Sequence, residues 1–279
     1  MTRGLRPRGG RGRGPPIPSF SVVTSHDRKS PARPRFLAGA LIALPVLAAV
    51  APPAPDPGDA VRRERRVEVV GDAATADRVV VVVPGSDMTT RTFDRQLRDA
   101  RALYGEALRQ DPSARLAVVA WLGYTTPRAK SAEILTDAMA APGADALRRY
   151  VRGFASSSRA RIGLLCHSYG SVVCAKGLRG LPVTDVAFFG SPGTGVDTAA
   201  DLGTTARVWA GRGTSDWIRL VPNVRLGGVG FGADPTSREY GAGVFDAGDA
   251  GHSGYFAPGS PALASLARIA LGRTPEAAR

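Results

Sequence analysis

The sequence predicts a three-layer α/β sandwich, with a mostly parallel sheet of about six strands and helices on both faces. Three observations predict it. Strand and helix patterns alternate from about residue 66 onward. The strand segments are unbroken apolar runs, as strands buried on both faces must be. Each polar cluster of interest follows a strand, so the clusters share the sheet edge where such folds bind ligands. The length of 279 residues suits one domain of this kind plus a tail, or two small domains. No internal repeat points to a solenoid or propeller.

The elements follow in order. RVVVVVPGS (78–86) is β-branched and reads as a strand. Phe93, Leu97, Ala100, Tyr104 and Leu108 recur at helical spacing after it. ARLAVVAWLG (114–123) is the next strand. Residues 124–142, with Pro127 and Pro142, read as a loop, and Leu147, Val151 and Phe154 mark a second amphipathic helix. RIGLLC (161–166) is a strand, residues 169–180 a short helix, and TDVAFFGSPG (184–193) and ARVWAG (206–211) two further strands ending in glycine. GAGVFDA (241–247) is a weaker last strand, and PALASLARIALG (261–272) closes the chain as a helix.

The N-terminus has a different character. The chain carries a formal charge of +13, and residues 1–35 hold nine basic residues against Asp27. An arginine–glycine tail of this kind can attract RNA or anionic lipid. The stretch FLAGALIALPVLAAVA (36–51) follows and carries no charge. Its length and small-residue end fit an export signal cleaved after Ala51, or an uncleaved membrane anchor, because Pro52 is unfavourable after a cleavage site. The tail then reads as its positive flank, and no nucleic-acid partner is expected. Residues 52–65 form a proline-rich linker and 66–279 the folded domain. This organisation places the protein outside the cell, secreted or held on the outer face of its membrane. Arginine outnumbers lysine 34 to 3, which reflects coding bias more than function.

CHSYG (166–170) lies between a strand and a helix, the setting of a nucleophile elbow. Such a serine sits on a strained turn with its hydroxyl clear of the sheet, so the residues two before and two after it must be small. Gly170 meets that demand, and Cys166 stands where a glycine is usual. The helix that starts here aims its free N–H groups at the reacting centre, making the Tyr169 N–H one oxyanion donor. The loop in VVVPGSDM (81–88) offers the Ser86 N–H as a second. The base for Ser168 is His252 in DAGHSGYF. His26 lies in the tail, and His167 is adjacent to the nucleophile and expected to face away. The acid should follow an intervening strand. Asp216 in GTSDWI is favoured over Asp197, Asp201, Asp234 and Asp246, and it gives the chain order Ser, acid, His. The two cysteines, Cys166 and Cys174, are expected to be small packing residues, since a bridge from a strand end to a helix eight residues later looks geometrically poor. His and Cys are too few for a metal cluster, VPGSDMTTRT lacks a phosphate-loop lysine, and no cofactor is expected.

Taken together, VVVPGSDM, CHSYGS, FFGSPGTGV, GTSDWIRLVPN, GFGADPTSREYGAGVF and GHSGYF resemble the α/β-hydrolase superfamily, and within it the actinobacterial hydrolases of the domain-of-unknown-function 1023 type. The likeness covers about residues 75–272. It implies a Ser168–Asp216–His252 triad and an oxyanion hole of Tyr169 and Ser86, and it supports the hydrolase reaction type without a substrate. The activity expected on that basis is serine hydrolysis of a carboxylic ester, from a small molecule or a lipid, through an acyl-enzyme on Ser168. A non-catalytic binding module on the same fold is the alternative.

Overall fold

A computed structural model describes residues 65–226 and 228–278. The expected tail, export segment and most of the linker lie outside the described residues.

Seven strands form one sheet in the order β1-β3-β2-β4-β5-β6-β7. They are β1 (Arg66–Val70), β2 (Arg78–Val83), β3 (Leu116–Leu122), β4 (Arg161–His167), β5 (Val183–Phe189), β6 (Arg207–Gly211) and β7 (Gly243–Val244). Every pairing is parallel except that of β1 with β3. The expectation of about six strands missed β1. Its sequence RVEVV alternates, and Val67 and Val69 point outward on an edge strand. This exposed apolar face does not resemble the continuous runs that mark the inner strands.

Two helices cover each face. Helix α1 (Phe93–Gln110) packs beside α4 (Pro261–Ala270) on one, while α2 (Ala140–Ser157) packs beside α3 (Gly170–Leu178) on the other. Strand β2 explains the arrangement. Val79, Val81 and Val83 enter the core under α2 and α3, and Val80 and Val82 enter the core under α1 and α4. A strand with core on both sides needs apolar side chains at every position. Helix α4 starts at Ser260, whose hydroxyl accepts the Leu263 N–H, with Pro261 as its first residue. The segment expected to be loop, 124–142, contains a 3-10 turn at Ala132–Leu135 and the first residues of α2.

The connections position the site. From β2 the chain passes through α1 to β3 on one side of β2. From β3 it returns through α2, across the opposite face, to β4 on the other side. The loops leaving β2 and β4 therefore diverge at a topological switch point, where a crevice opens at the carboxyl edge. No described helix is long and apolar enough to cross a membrane.

Candidate active site

Ser168 leaves β4 with φ of +52°, one of two described non-glycine residues in the left-handed region; the other is Asp87. That conformation is strained for an L residue, and its surroundings enforce it. The Ser168 N–H donates to the Phe189 carbonyl of β5, and its own carbonyl receives the Ser171 N–H of α3. A Cβ on Gly170 would lie 2.6 Å from the Pro84 oxygen and 2.7 Å from the Val83 oxygen. The elbow therefore seats directly on the end of β2, and the demand for a glycine there is steric. Gly85 meets the same demand from the other side, since a Cβ there would lie 2.7 Å from the Ser168 Cβ. This contact brings the loop carrying Ser86 against the serine, and Ser86 lines the same cavity as Ser168. Tyr169 begins the helix beyond the elbow, with its side chain buried and its hydroxyl donating to the Thr136 carbonyl.

Cys166 and Cys174 form a disulfide, contrary to the expectation of two packing thiols. The expectation took a bridge from a strand end to a helix eight residues later to be geometrically poor. The elbow instead folds α3 back along β4, which brings the two Cα atoms to 6.4 Å, within disulfide range. The bridge spans the elbow, with both cysteines fully buried.

His252 comes from the loop between β7 and α4, and Asp216 from the turn after β6. His252 Nε2 lies 3.0 Å from Ser168 Oγ, and Nδ1 lies 2.8 Å from Asp216 Oδ1. The carboxylate accepts, so Nδ1 carries the proton. Nε2 is then left with a lone pair facing the hydroxyl, the tautomer a general base requires. Asp216 is fully buried yet well supplied with donors. Its Oδ1 also accepts the Ile218 N–H at 2.9 Å, and its Oδ2 accepts the Tyr255 hydroxyl at 2.6 Å. Burial pushes this carboxyl up, but the bonds from His252, Tyr255 and Ile218 outweigh it and hold it below its usual value. Of the competing acids, Asp197 is exposed and the other three are engaged elsewhere. Asp201 holds the turn at Thr198, Asp234 pairs with Arg212, and Asp246 accepts the Gly248 N–H.

Two supporting residues were not foreseen. His167, expected to face away, turns its ring toward His252, with centroids 4.9 Å apart. Its Nε2 lies 2.7 Å from the His252 carbonyl oxygen, which can only accept, so His167 donates. Burial and the neighbouring His252 push the His167 imidazole down to about 3, so it stays neutral and keeps that donor geometry. Tyr255 donates to Asp216 and accepts the Gly213 N–H, joining the loops that deliver acid and base. The signal for Tyr255 was an aromatic three residues after the base, in a string already quoted for its histidine.

A cavity of about 240 Å³ opens onto Ser168. Val82, Met88, Phe189 and Phe256 give it an apolar wall, and Arg95 and Asp99 of α1 line its polar part. Burial pushes the Asp99 carboxyl up to about 6, against the pull of Arg95 and Arg98.

Fold and site together define a doubly wound α/β protein with a Ser–His–Asp relay on a nucleophile elbow. The family described as Alpha/beta hydrolase matches residues 56–226, and the chain belongs to that family. An uncharacterized protein of Mycobacterium tuberculosis is 30% identical over 242 residues, covering 75% of this chain and 37% of that protein. An uncharacterized protein of Mycobacterium bovis is 32% identical over 145 residues, covering 48% of this chain and 54% of its own length. The chain thus spans between about a third and about half of the curated relatives it matches. Among solved structures, the esterase PE8 is similar at 16% identity and a TM-score of 0.46, covering 68% of this chain and 91% of that one.

Proposed function

We propose that the protein is a serine hydrolase that cleaves carboxylic esters through an acyl-enzyme on Ser168. The observation that carries this reading is the unbroken relay from Asp216 through both His252 nitrogens to Ser168 Oγ, at 2.8 and 3.0 Å. Ser168 Oγ attacks the acyl carbon while its proton passes to His252 Nε2. The charge gained by the imidazole is balanced by Asp216. The negative oxygen that forms is held by the N–H groups of Tyr169 and Ser86, the roles the elbow and the adjoining loop suit. Collapse of this intermediate expels the alcohol, which takes the proton from His252 Nε2. Water then enters, gives a proton to the same nitrogen, attacks the acyl carbon and releases the acid, and Ser168 recovers its proton.

Treatment of the full chain with a fluorophosphonate probe tests the reading. Wild type labels and Ser168→Ala does not, and the variant loses turnover of p-nitrophenyl esters by about four orders of magnitude. A wild type that neither labels nor turns over any member of a C2–C16 ester series would leave a binding module on a hydrolase fold.

The same proposal places the protein outside the cytoplasm, secreted or anchored through residues 36–51. The basic flank and apolar stretch support it, as does the disulfide beside Ser168, since such bridges persist in oxidising compartments. Protease added to intact cells degrades the protein if this is right and spares it if it is cytoplasmic.

A further inference from the structure

Eight large apolar side chains are exposed among the described residues, and six of them lie on two loops. Leu135 belongs to the segment after β3. Trp217, Leu220, Val224, Leu226 and Val229 belong to the segment after β6. Leu226 is 82% exposed and Leu220 72%, values unusual for side chains that gain from burial. Both segments leave carboxyl ends of parallel strands, so both stand on the edge that carries Ser168. They are joined to each other, because the Gly230 N–H donates to the Leu135 carbonyl at 2.9 Å. Both also rest on the residue after the nucleophile. Thr136 accepts the Tyr169 hydroxyl, and Phe231 packs edge-on against the Tyr169 ring. Trp217 lines the catalytic cavity, with its ring 4.5 Å from that of His252. The apolar surface is therefore continuous with the mouth of the site.

Its charge leans positive. Residues 217–231 contain Arg219 and Arg225 and no acid. The other loop carries Arg128 and Lys130 against Glu133 and Asp137, and Asp137 is taken up by Lys176 at 2.8 Å and Arg225 at 3.8 Å, which leaves Arg219, Arg128 and Lys130 as the exposed cations of the rim. An apolar patch set among cations is complementary to a surface that offers hydrocarbon beneath negative headgroups.

We propose that this rim docks the protein onto an anionic lipid surface, with Leu220, Val224 and Leu226 entering the lipid and Arg219 and Lys130 meeting the headgroups. Docking would set the mouth of the cavity against the lipid. That a lipid-borne ester then reaches Ser168 rests on the hydrolase reading, whereas the docking itself does not.

The test is partition of the full chain onto phosphatidylcholine vesicles with and without 30% phosphatidylglycerol, read by co-sedimentation over a range of lipid concentrations. Trp217 is read in parallel by quenching with brominated phospholipid, since Trp121 is buried and Trp209 is held against Asp185, away from the rim. Wild type prefers the anionic vesicles and is quenched. Leu220→Ser/Val224→Ser/Leu226→Ser lowers the anionic partition about tenfold or more and removes the quenching. Arg219→Gln/Lys130→Gln lowers it by about fivefold per charge on anionic vesicles and leaves neutral ones unchanged. Ser168→Ala binds as wild type does, so loss of catalysis and loss of docking are read separately. The far-UV circular dichroism and melting temperature of the triple variant match wild type, showing that it folds whether or not the protein is a hydrolase. Unchanged quenching and partition in the triple variant would assign membrane affinity to residues 1–51 and overturn the proposal. So would a wild-type dimer in light scattering that the triple variant turns into a monomer without vesicle binding, since the patch would then be a self-interface.

Discussion

At the scale of single residues, the relay depends on side chains that bond to its members and not to the reacting serine. Tyr255 is the clearest. Tyr255→Phe keeps the ring in place but leaves Asp216 Oδ2 and the Gly213 N–H without their partner. Leaving such buried groups unpaired costs about 1–3 kcal/mol. Because the tyrosine steadies Asp216 and not the ester, kcat falls about tenfold or more while KM stays close to wild type; steady-state kinetics on a soluble ester check the split. Asp99 gives a prediction in pH. Its folded value, about 6, stands above the usual 3.8, so the native state favours the protonated form. Native molecules hold more protons than unfolded ones between those values, and stability falls as pH rises from about 4 to about 6. Asp99→Asn removes that penalty. The variant's Tm therefore matches wild type near pH 4 and exceeds it at pH 8, which melting curves across that range will show.

At the scale of elements, the elbow and its bridge act together. Removing the disulfide by Cys166→Ala/Cys174→Ala frees an eight-residue separation in the unfolded chain and lowers stability by about 2–3 kcal/mol, measured by guanidinium unfolding. Labelling of Ser168 by fluorophosphonate persists, because the Phe189 carbonyl and the seat of Gly170 on β2 hold the turn independently. The missed bridge shows where the sequence stops being legible. Strand, turn and helix were each readable from 161–178, and so were Ser168, Asp216 and His252, because chain order and flanking glycines constrain them. The angle at which α3 folds back on β4 is set by tertiary packing, and that angle decides whether two cysteines eight apart can meet. The role of His167 was hidden for the same reason, since its partner is a backbone carbonyl 85 residues away. Strand β1 was hidden because an edge strand carries no two-sided apolar signal.

At the scale of the whole molecule, the two edges of the sheet divide the work. The carboxyl edge holds the relay and the exposed rim, while the amino edge holds a buried charge cluster. Asp185 in β5 is fully buried and receives Arg78 of β2 at 2.9 Å and Arg207 of β6 at 2.7 Å. Trp209 donates to the same carboxylate, and Arg78 also donates to the Ala270 carbonyl at the end of α4. One carboxylate thus ties three strands, and through Arg78 a helix, about six residues, or roughly 20 Å, from the serine end of the strands. Arg78→Met keeps the aliphatic stem but withdraws one counter-charge from a carboxylate that has no route to water. Breaking a buried pair in this way costs about 3–5 kcal/mol, and the remaining Arg207 and Trp209 contacts place this case at about 3. The loss acts on the fold and not on the relay. Denaturant titration should therefore show the midpoint moving down, while kcat and KM per folded molecule at 20 °C (about room temperature) stay as in wild type. A fall in kcat matching the fall in stability would mean instead that the two edges are mechanically coupled through β2, the one strand that carries Arg78 at its start and runs into the Gly85 loop at its end.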